Sequence, residues 1–363
     1  MHVDTILTYI KFRGDLDIKK YPFNEVDALI LSELAYIQFD NIVPSVVQEG
    51  RVTIKEAARN YKKREGKETA FYGQFELLFE LMANSQRYAD MALSNYISIL
   101  DTKERQQFAA LHIQVTPFQT FIAFRGTDET IVGWREDCNM SYLMPVPAQI
   151  SSVNYVNRTA RNPFKKYWIG GHSKGGNLAI YSSVFCESKI QKKIINVYSF
   201  DGPGFNHSMI ERDAYKRIQN RIVAYVPESS VVGMLMEHEE NYKIVKSGEN
   251  AFMQHNGFSW AVDSTCFLYA ENRDKFSNNI SNILKTWLEK IDPSERKVFV
   301  DAVFNIFEAG GIVEIFDFKE ITVQKATAML KAVMILPPEQ REIVNKLIKS
   351  LVEVSKKSGK GAV

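Results

Sequence analysis

Apolar residues recur at intervals of three and four between positions 24 and 39, where Val26, Leu29, Ile30, Leu34 and Ile37 fall on one helical face behind Asn24, a residue suited to capping. Positions 53–63 and 74–84 repeat the spacing, so the first part of the chain is expected to be helical. The period then changes. Positions 91–100, 109–116 and 120–125 are short apolar runs rich in Ile, Val and Phe, parted by polar or Pro-containing turns, and they read as strands. A further strand at 167–171 leads through glycines into a helical stretch at 177–186, and 194–200, 221–226 and 242–245 repeat the strand signal. Such alternation predicts an α/β fold with a mainly parallel sheet covered by helices. Beyond about Asn272 strand signals stop. Asp292, Pro293 and Glu295 read as an N-cap, a first-turn proline and an N3 carboxylate, and Pro337-Pro338 opens a last amphipathic helix with Ile343, Leu347, Leu351 and Val354 on its apolar face. The expected organisation is a helical segment over 1–90, an α/β core over 91–271 and a helical appendage over 272–363, the helical parts packing on the core or on a partner chain.

Composition narrows the class. Of the 363 residues 45% are apolar and 24% charged, as in ordinary globular proteins, and a formal net charge of +2 gives no electrostatic case for nucleic acid. Three cysteines, Cys138, Cys186 and Cys266, are an odd number without paired spacing, which argues against a disulfide framework and a thiolate metal site and for a reducing compartment. The first eleven residues carry Asp4 and no uninterrupted apolar run, and no segment has the roughly 18 consecutive apolar residues of a membrane span. A cytoplasmic protein is expected.

One segment carries chemistry. Gly171-His172-Ser173-Lys174-Gly175 places G-x-S-x-G between a strand and a helix. At such an elbow a serine takes a strained backbone that projects its hydroxyl, side chains at the flanking glycines would collide across the turn, and the helix amino end favours developing negative charge. The segment reads as the nucleophile elbow of the α/β-hydrolase fold, with Ser173 as the expected nucleophile; the alternative is a structural turn or a phosphate-cradling loop.

A second segment, Phe121-Ile122-Ala123-Phe124-Arg125-Gly126-Thr127-Asp128 followed by Trp134 and Asp137, extends the pattern. F-R-G-T with W-x-x-D, then G-H-S-x-G-G-x-L-A, resembles the class 3, fungal-type lipases over about 111–260. Together with Arg13-Gly14-Asp15, the run from Pro22 to Asp27 and Phe200-Asp201-Gly202-Pro203-Gly204-Phe205, the chain looks still more like a family of uncharacterised bacterial predicted α/β-hydrolases. The lipase resemblance implies an oxyanion donor at Thr127, paired with the backbone N–H of Lys174, while Trp134 and Asp137 organise the loop. Lys174 departs from the apolar residue usual there in the lipases, and its side chain reads as a solvated surface charge.

Of six histidines, His2 is terminal, His112 lies in a strand, His172 is locked beside the nucleophile, and His207 and His238 precede the last strand. His255 follows that strand and stands shortly before Trp260, as a histidine does in the lipases, so it is the expected base. The order serine, acid, histidine leaves two carboxylates: Asp201 after the strand at 194–200, which is favoured, and Glu228 after the strand at 221–226. The lipases carry an aspartate at the later position, and a site using Ser229 or Ser230 without a third carboxylate stays open. Glu237-His238-Glu239-Glu240 reads as a solvated turn rather than a metal site, and Gly310-Gly311 as a helix break.

The expectation is a serine hydrolase of the carboxylester or lipase type, acting on a small-molecule acyl substrate through an acyl-enzyme and needing neither metal nor organic cofactor. Acyl transfer, thioester or peptide cleavage with the same residues is the alternative among enzymes, and a binding protein without turnover is the alternative outside them.

Overall fold

Strands that are apolar on both faces need cover on both, and the middle of the chain supplies it. In the computed structural model, which describes residues 3–63, 69–236, 242–314, 317 and 322–360, eight strands form one sheet in chain order: β1 (Val52–Thr53), β2 (Ala92–Asp101), β3 (Gln106–Thr116), β4 (Gln119–Phe124), β5 (Lys166–His172), β6 (Ile194–Phe200), β7 (Ile222–Pro227) and β8 (Tyr242–Val245). β1 with β2 and β3 with β4 are antiparallel, and every pairing from β4 to β8 is parallel. Two-residue strands β9 (Val262–Asp263) and β10 (Cys266–Phe267) pair separately.

The helices are α1 (Ile6–Arg13), α2 (Glu25–Glu33), α3 (Ile54–Asn60), α4 (Thr69–Ala83), α5 (Ile131–Asn139), α6 (Pro147–Thr159), α7 (Lys174–Phe185), α8 (Ser188–Gln191), α9 (His207–Ile210), α10 (Asp213–Gln219), α11 (Lys275–Glu289), α12 (Pro293–Ala309), α13 (Val323–Ile335) and α14 (Pro338–Lys360). Successive residues of a strand face opposite ways. On β5 a side chain at Gly170 would press on Ser32 of α2, and one at Gly171 would strike Gly175 of α7, so α2 covers one face and α7 the other.

Local chemistry starts these helices where the sequence indicates. The Asn24 side chain accepts from the N–H groups of Val26 and Asp27, and Asp27 bonds back to the Asn24 N–H at 2.9 Å. Asp292 caps α12 through the Ser294 N–H at 2.8 Å, but Glu295 does not close the box; it pairs with Lys346 of α14 at 2.5 Å instead. Gly310 follows α12, and Gly311 takes a φ of +67°, where a glycine belongs. Leu347 is buried on α14; the side chains of Leu351 and Val354 lie outside the described residues.

The chain divides into two compact units. One comprises Met1–Ile99, Phe108–Gly126 and Ala148–Ser277; the other comprises Leu100–Gln107, Thr127–Pro147 and Asn278–Val363. The amino-terminal helices pack into the core of the first unit. Ile6 and Tyr9 of α1, Leu29 of α2 and Phe79 of α4 share one core with Leu111, Phe121, Trp168, Phe200 and Trp260. Eight-residue α1, unanticipated from the pattern, contributes only three buried residues. In the other unit Ile131 of α5 packs with Val300, Phe304 and Ile312, and buried Arg135 pairs with Asp301 and Glu308 at 2.7 Å each. Partners so far apart in the chain leave no local signature, which is why periodicity assigned 127–147 to the core.

Candidate active site

β5 and α7 meet at Ser173, whose φ of +56° and ψ of −131° lie outside the region most residues adopt. Two close approaches make that turn possible. A side chain at Gly175 would strike the Phe124 carbonyl oxygen at the end of β4. One at Gly126 would strike the Tyr36 hydroxyl and the His172 carbonyl and come within 3.2 Å of the Ser173 Cβ. The glycine of F-R-G-T thus lets the end of β4 lie against the nucleophile turn.

Ser173 Oγ lies 3.0 Å from His255 Nε2, and His255 Nδ1 lies 2.6 Å from Asp201 Oδ2. The carboxylate accepts from Nδ1–H, which leaves Nε2 as the acceptor for the serine hydroxyl. Asp201 directly follows β6 with a φ of +50° and is about 1% exposed. Its other oxygen accepts from Ser230 Oγ at 2.5 Å, and its N–H donates to Tyr225 at 2.8 Å. Asn177 on α7 donates to the carbonyls of Pro203 and Gly204 at 3.0 Å, holding the loop after Asp201 against the nucleophile helix. Two sequence motifs, G-G-N and F-D-G-P-G-F, are therefore two sides of one contact.

His255 closes a 3-10 turn, Ala251–His255, that is anchored from three sides. The Gln254 amide accepts from Ser229 N–H at 2.7 Å and donates to Glu249 at 3.0 Å, while the Trp260 indole N–H donates to the Gln254 carbonyl at 2.8 Å. The tryptophan shortly after the histidine thus fixes the turn that presents it. Glu228 is not the residue on Nδ1; its backbone bonds to Val245 and Asp274 at 3.1 and 3.0 Å. Ser230 touches the site through Asp201, and Ser229 bonds Asp274.

Lys174 opens α7 and is about 1% exposed, which corrects the expected solvated charge: α7 is buried all round over Lys174–Val184, so its first side chain has no free face to occupy. In the second unit the Thr127 hydroxyl bonds the Asp137 carboxylate, and the Trp134 indole donates to the Asp128 carbonyl at 3.2 Å, an internally braced loop. His112 is buried and bonds Thr159 at 2.9 Å; burial pushes it down to about 3. His172 is likewise held down to about 3 by burial. Glu33, about 1% exposed with neither carboxyl oxygen hydrogen-bonded, is pushed up to about 8. His2, Glu237, His238, Glu239 and Glu240 lie outside the described residues, as does the His207 side chain. Among the described residues no cluster of His, Cys, Asp and Glu is placed to hold a metal, and no helix is long and apolar enough to cross a membrane. Sequence reasoning missed Gln254 as a support and Tyr36 and Glu33 as neighbours, since they lie far from Ser173 in the chain; it named Ser230 only for a site without a third carboxylate, and placed His172 beside the nucleophile without a partner on the base loop.

The sheet order, the parallel β4–β8 array and a strained serine between β5 and α7 define an α/β-hydrolase fold. The chain belongs to the Mbeg1-like family, which matches residues 82–305. No curated protein matches it. Similar solved structures include the native propeptide complex of Rhizomucor miehei lipase, at 16% identity over 43% of this chain and 57% of that one, with a TM-score of 0.34. A fungal lipase–inhibitor complex is 14% identical over 62% and 86%, with a TM-score of 0.37, and M37 lipase is 13% identical over 56% and 67%, with a TM-score of 0.32. The chain thus spans less than two thirds of the Rhizomucor structure.

Proposed function

We propose that the protein is a serine hydrolase that cleaves an ester or related acyl substrate through an acyl-enzyme intermediate. The observation that carries this reading is the continuous hydrogen-bonded line Ser173 Oγ, His255 Nε2, His255 Nδ1, Asp201 Oδ2, at 3.0 and 2.6 Å. The hydroxyl oxygen attacks the substrate carbonyl carbon while Nε2 takes its proton, and Asp201 holds the tautomer and supports the imidazolium that results. The tetrahedral intermediate's oxyanion is received by the Lys174 N–H at the start of α7, with Thr127 as second donor by its motif. As the intermediate collapses, the leaving group takes the proton from Nε2. Water then repeats the sequence on the Ser173 ester, with His255 again as base, and the acid is released.

Incubation with a fluorophosphonate probe and mapping of the adduct by mass spectrometry tests the reading. Ser173 should be the modified residue, and Ser173→Ala should abolish both labelling and ester hydrolysis; labelling of the variant at the wild-type level would overturn the assignment. A panel of acyl esters of increasing length then reads out the preferred acyl chain.

A further inference from the structure

The serine hydrolase reading accounts for His255 but not for the second histidine packed beside it. His172 precedes Ser173 at the end of β5, is about 6% exposed, and has its ring centroid 4.8 Å from that of His255. Its Nε2 lies 2.7 Å from the backbone carbonyl oxygen of His255. A carbonyl only accepts, so Nε2 carries the hydrogen. The buried ring is neutral at ordinary pH, which leaves Nδ1 bare and able to accept. The Tyr36 hydroxyl stands 3.4 Å from Nδ1, on the 3-10 turn Leu34–Tyr36 that follows α2. The Glu33 carboxyl is 3.8 Å from the same nitrogen, beyond hydrogen-bond reach, and its oxygen occupies the place a side chain at Gly257 would need. The loop on either side of His255 is thus seated on α2 and on His172.

We infer that His172, as its Nε2–H tautomer, is the positioning residue for the base: by donating to the His255 carbonyl it ties the base loop to the residue next to the nucleophile. This rests on the reading of Ser173 and His255 as nucleophile and base. The consequence is geometric. Ser173 is joined to His172 by one peptide bond and His255 to His172 by one hydrogen bond, so the 3.0 Å separation of Oγ and Nε2 is set by a very short path. Without that bond the loop keeps its anchors at Gln254 and Trp260, and the His255 ring its bond to Asp201, but the His255 backbone loses its tie to His172, and a displacement near 1 Å costs up to about a hundredfold in rate.

The test compares His172→Leu, which removes the donor, with His172→Gln, whose side-chain amide places an N–H near the Nε2 position. The leucine variant should label with fluorophosphonate about tenfold to a hundredfold more slowly and lose kcat by the same factor with KM little changed, and the glutamine variant should recover most of that loss. In the wild type, nitrogen-15 spectra of labelled histidine should show a His172 ring protonated at Nε2 that does not titrate between pH 5 and 8. Leucine-variant labelling at the wild-type rate overturns the positioning role alone, since Ser173 chemistry is then intact. A wild-type protein that does not label at all overturns the hydrolase reading and the inference with it. Should the leucine variant not fold, the wild-type spectrum decides: an Nδ1–H tautomer or a titrating ring refutes the inference.

Discussion

Among single residues Glu33 makes the most direct demand on experiment. Buried without a hydrogen-bond partner, its carboxyl is held neutral, pushed from its ordinary 4.5 to about 8 by desolvation. The folded state therefore binds a proton that the unfolded state has lost between those values. Glu33's contribution is fully present below 4.5 and is lost as pH rises through about 8, an effect on the order of a few kcal/mol. His172 and His112 act in the opposite sense: their depressed values make stability fall as pH drops from 6.5 towards 3. Glu33→Gln should flatten the alkaline arm, so that urea midpoints at pH 5 and pH 9 differ less than in the wild type; an equal drop in both proteins would refute the burial argument. Asp201 and Glu228 make a second pair of predictions. Asp201→Asn keeps the shape but favours the wrong imidazole tautomer, and should lower ester turnover by about four orders of magnitude, while Glu228→Gln should leave it nearly unchanged. A severe loss in the Glu228 variant would move the acid role. Ser173, His255 and Asp201 were all legible as candidates because each sits where a strand or loop of this fold ends. The burial of Lys174 was not legible, since nothing near it in sequence reports that α7 lacks an exposed face.

At the level of elements, β4 and β5 were legible within a residue or two because, buried along almost their whole length, they are written as unbroken apolar runs, whereas β3 begins three residues before the run that marked it. Of the amino-terminal helices α2, α3 and α4 were equally readable and α1 was not, and the purpose of α2 was hidden. Asp27, third residue of α2, closes the Asn24 capping box and also receives Arg87 Nη2 at 2.5 Å, Arg87 Nε at 2.8 Å and the Tyr88 hydroxyl at 2.5 Å, all in the interior. Arg87 further donates to the carbonyls of Leu16, Tyr21 and Pro22, stitching the α1–α2 connection to the approach of β2. Removing one member strands a buried charge. Arg87→Met should cost about 3–5 kcal/mol, and Asp27→Leu combined with Arg87→Met should cost less than the two single losses together. Denaturant titrations of the three variants measure this; strict additivity would mean that the pair is uncoupled.

For the molecule as a whole, alternation of strands and helices was enough to give the fold class, and the elbow enough to orient it, but the division into units was hidden because each unit is assembled from separated stretches of chain. That interleaving has a consequence in time. The core that α1 and α2 share with Phe79, Leu111 and Phe121 is completed by Phe200, Phe258, Trp260 and Phe267, later in the same unit. A ribosome adding about 5–20 residues per second leaves that core incomplete for some tens of seconds after α1 and α2 emerge. The nascent chain must pass through that interval with the core around α1 and α2 still incomplete. Chains stalled near position 190 should therefore be captured by a hydrophobic holdase and cut readily by protease, and chains stalled well beyond position 277 should be released and resistant. Early resistance would mean that the amino-terminal helices first find cover elsewhere, and the order in which this protein becomes itself would have to be rewritten.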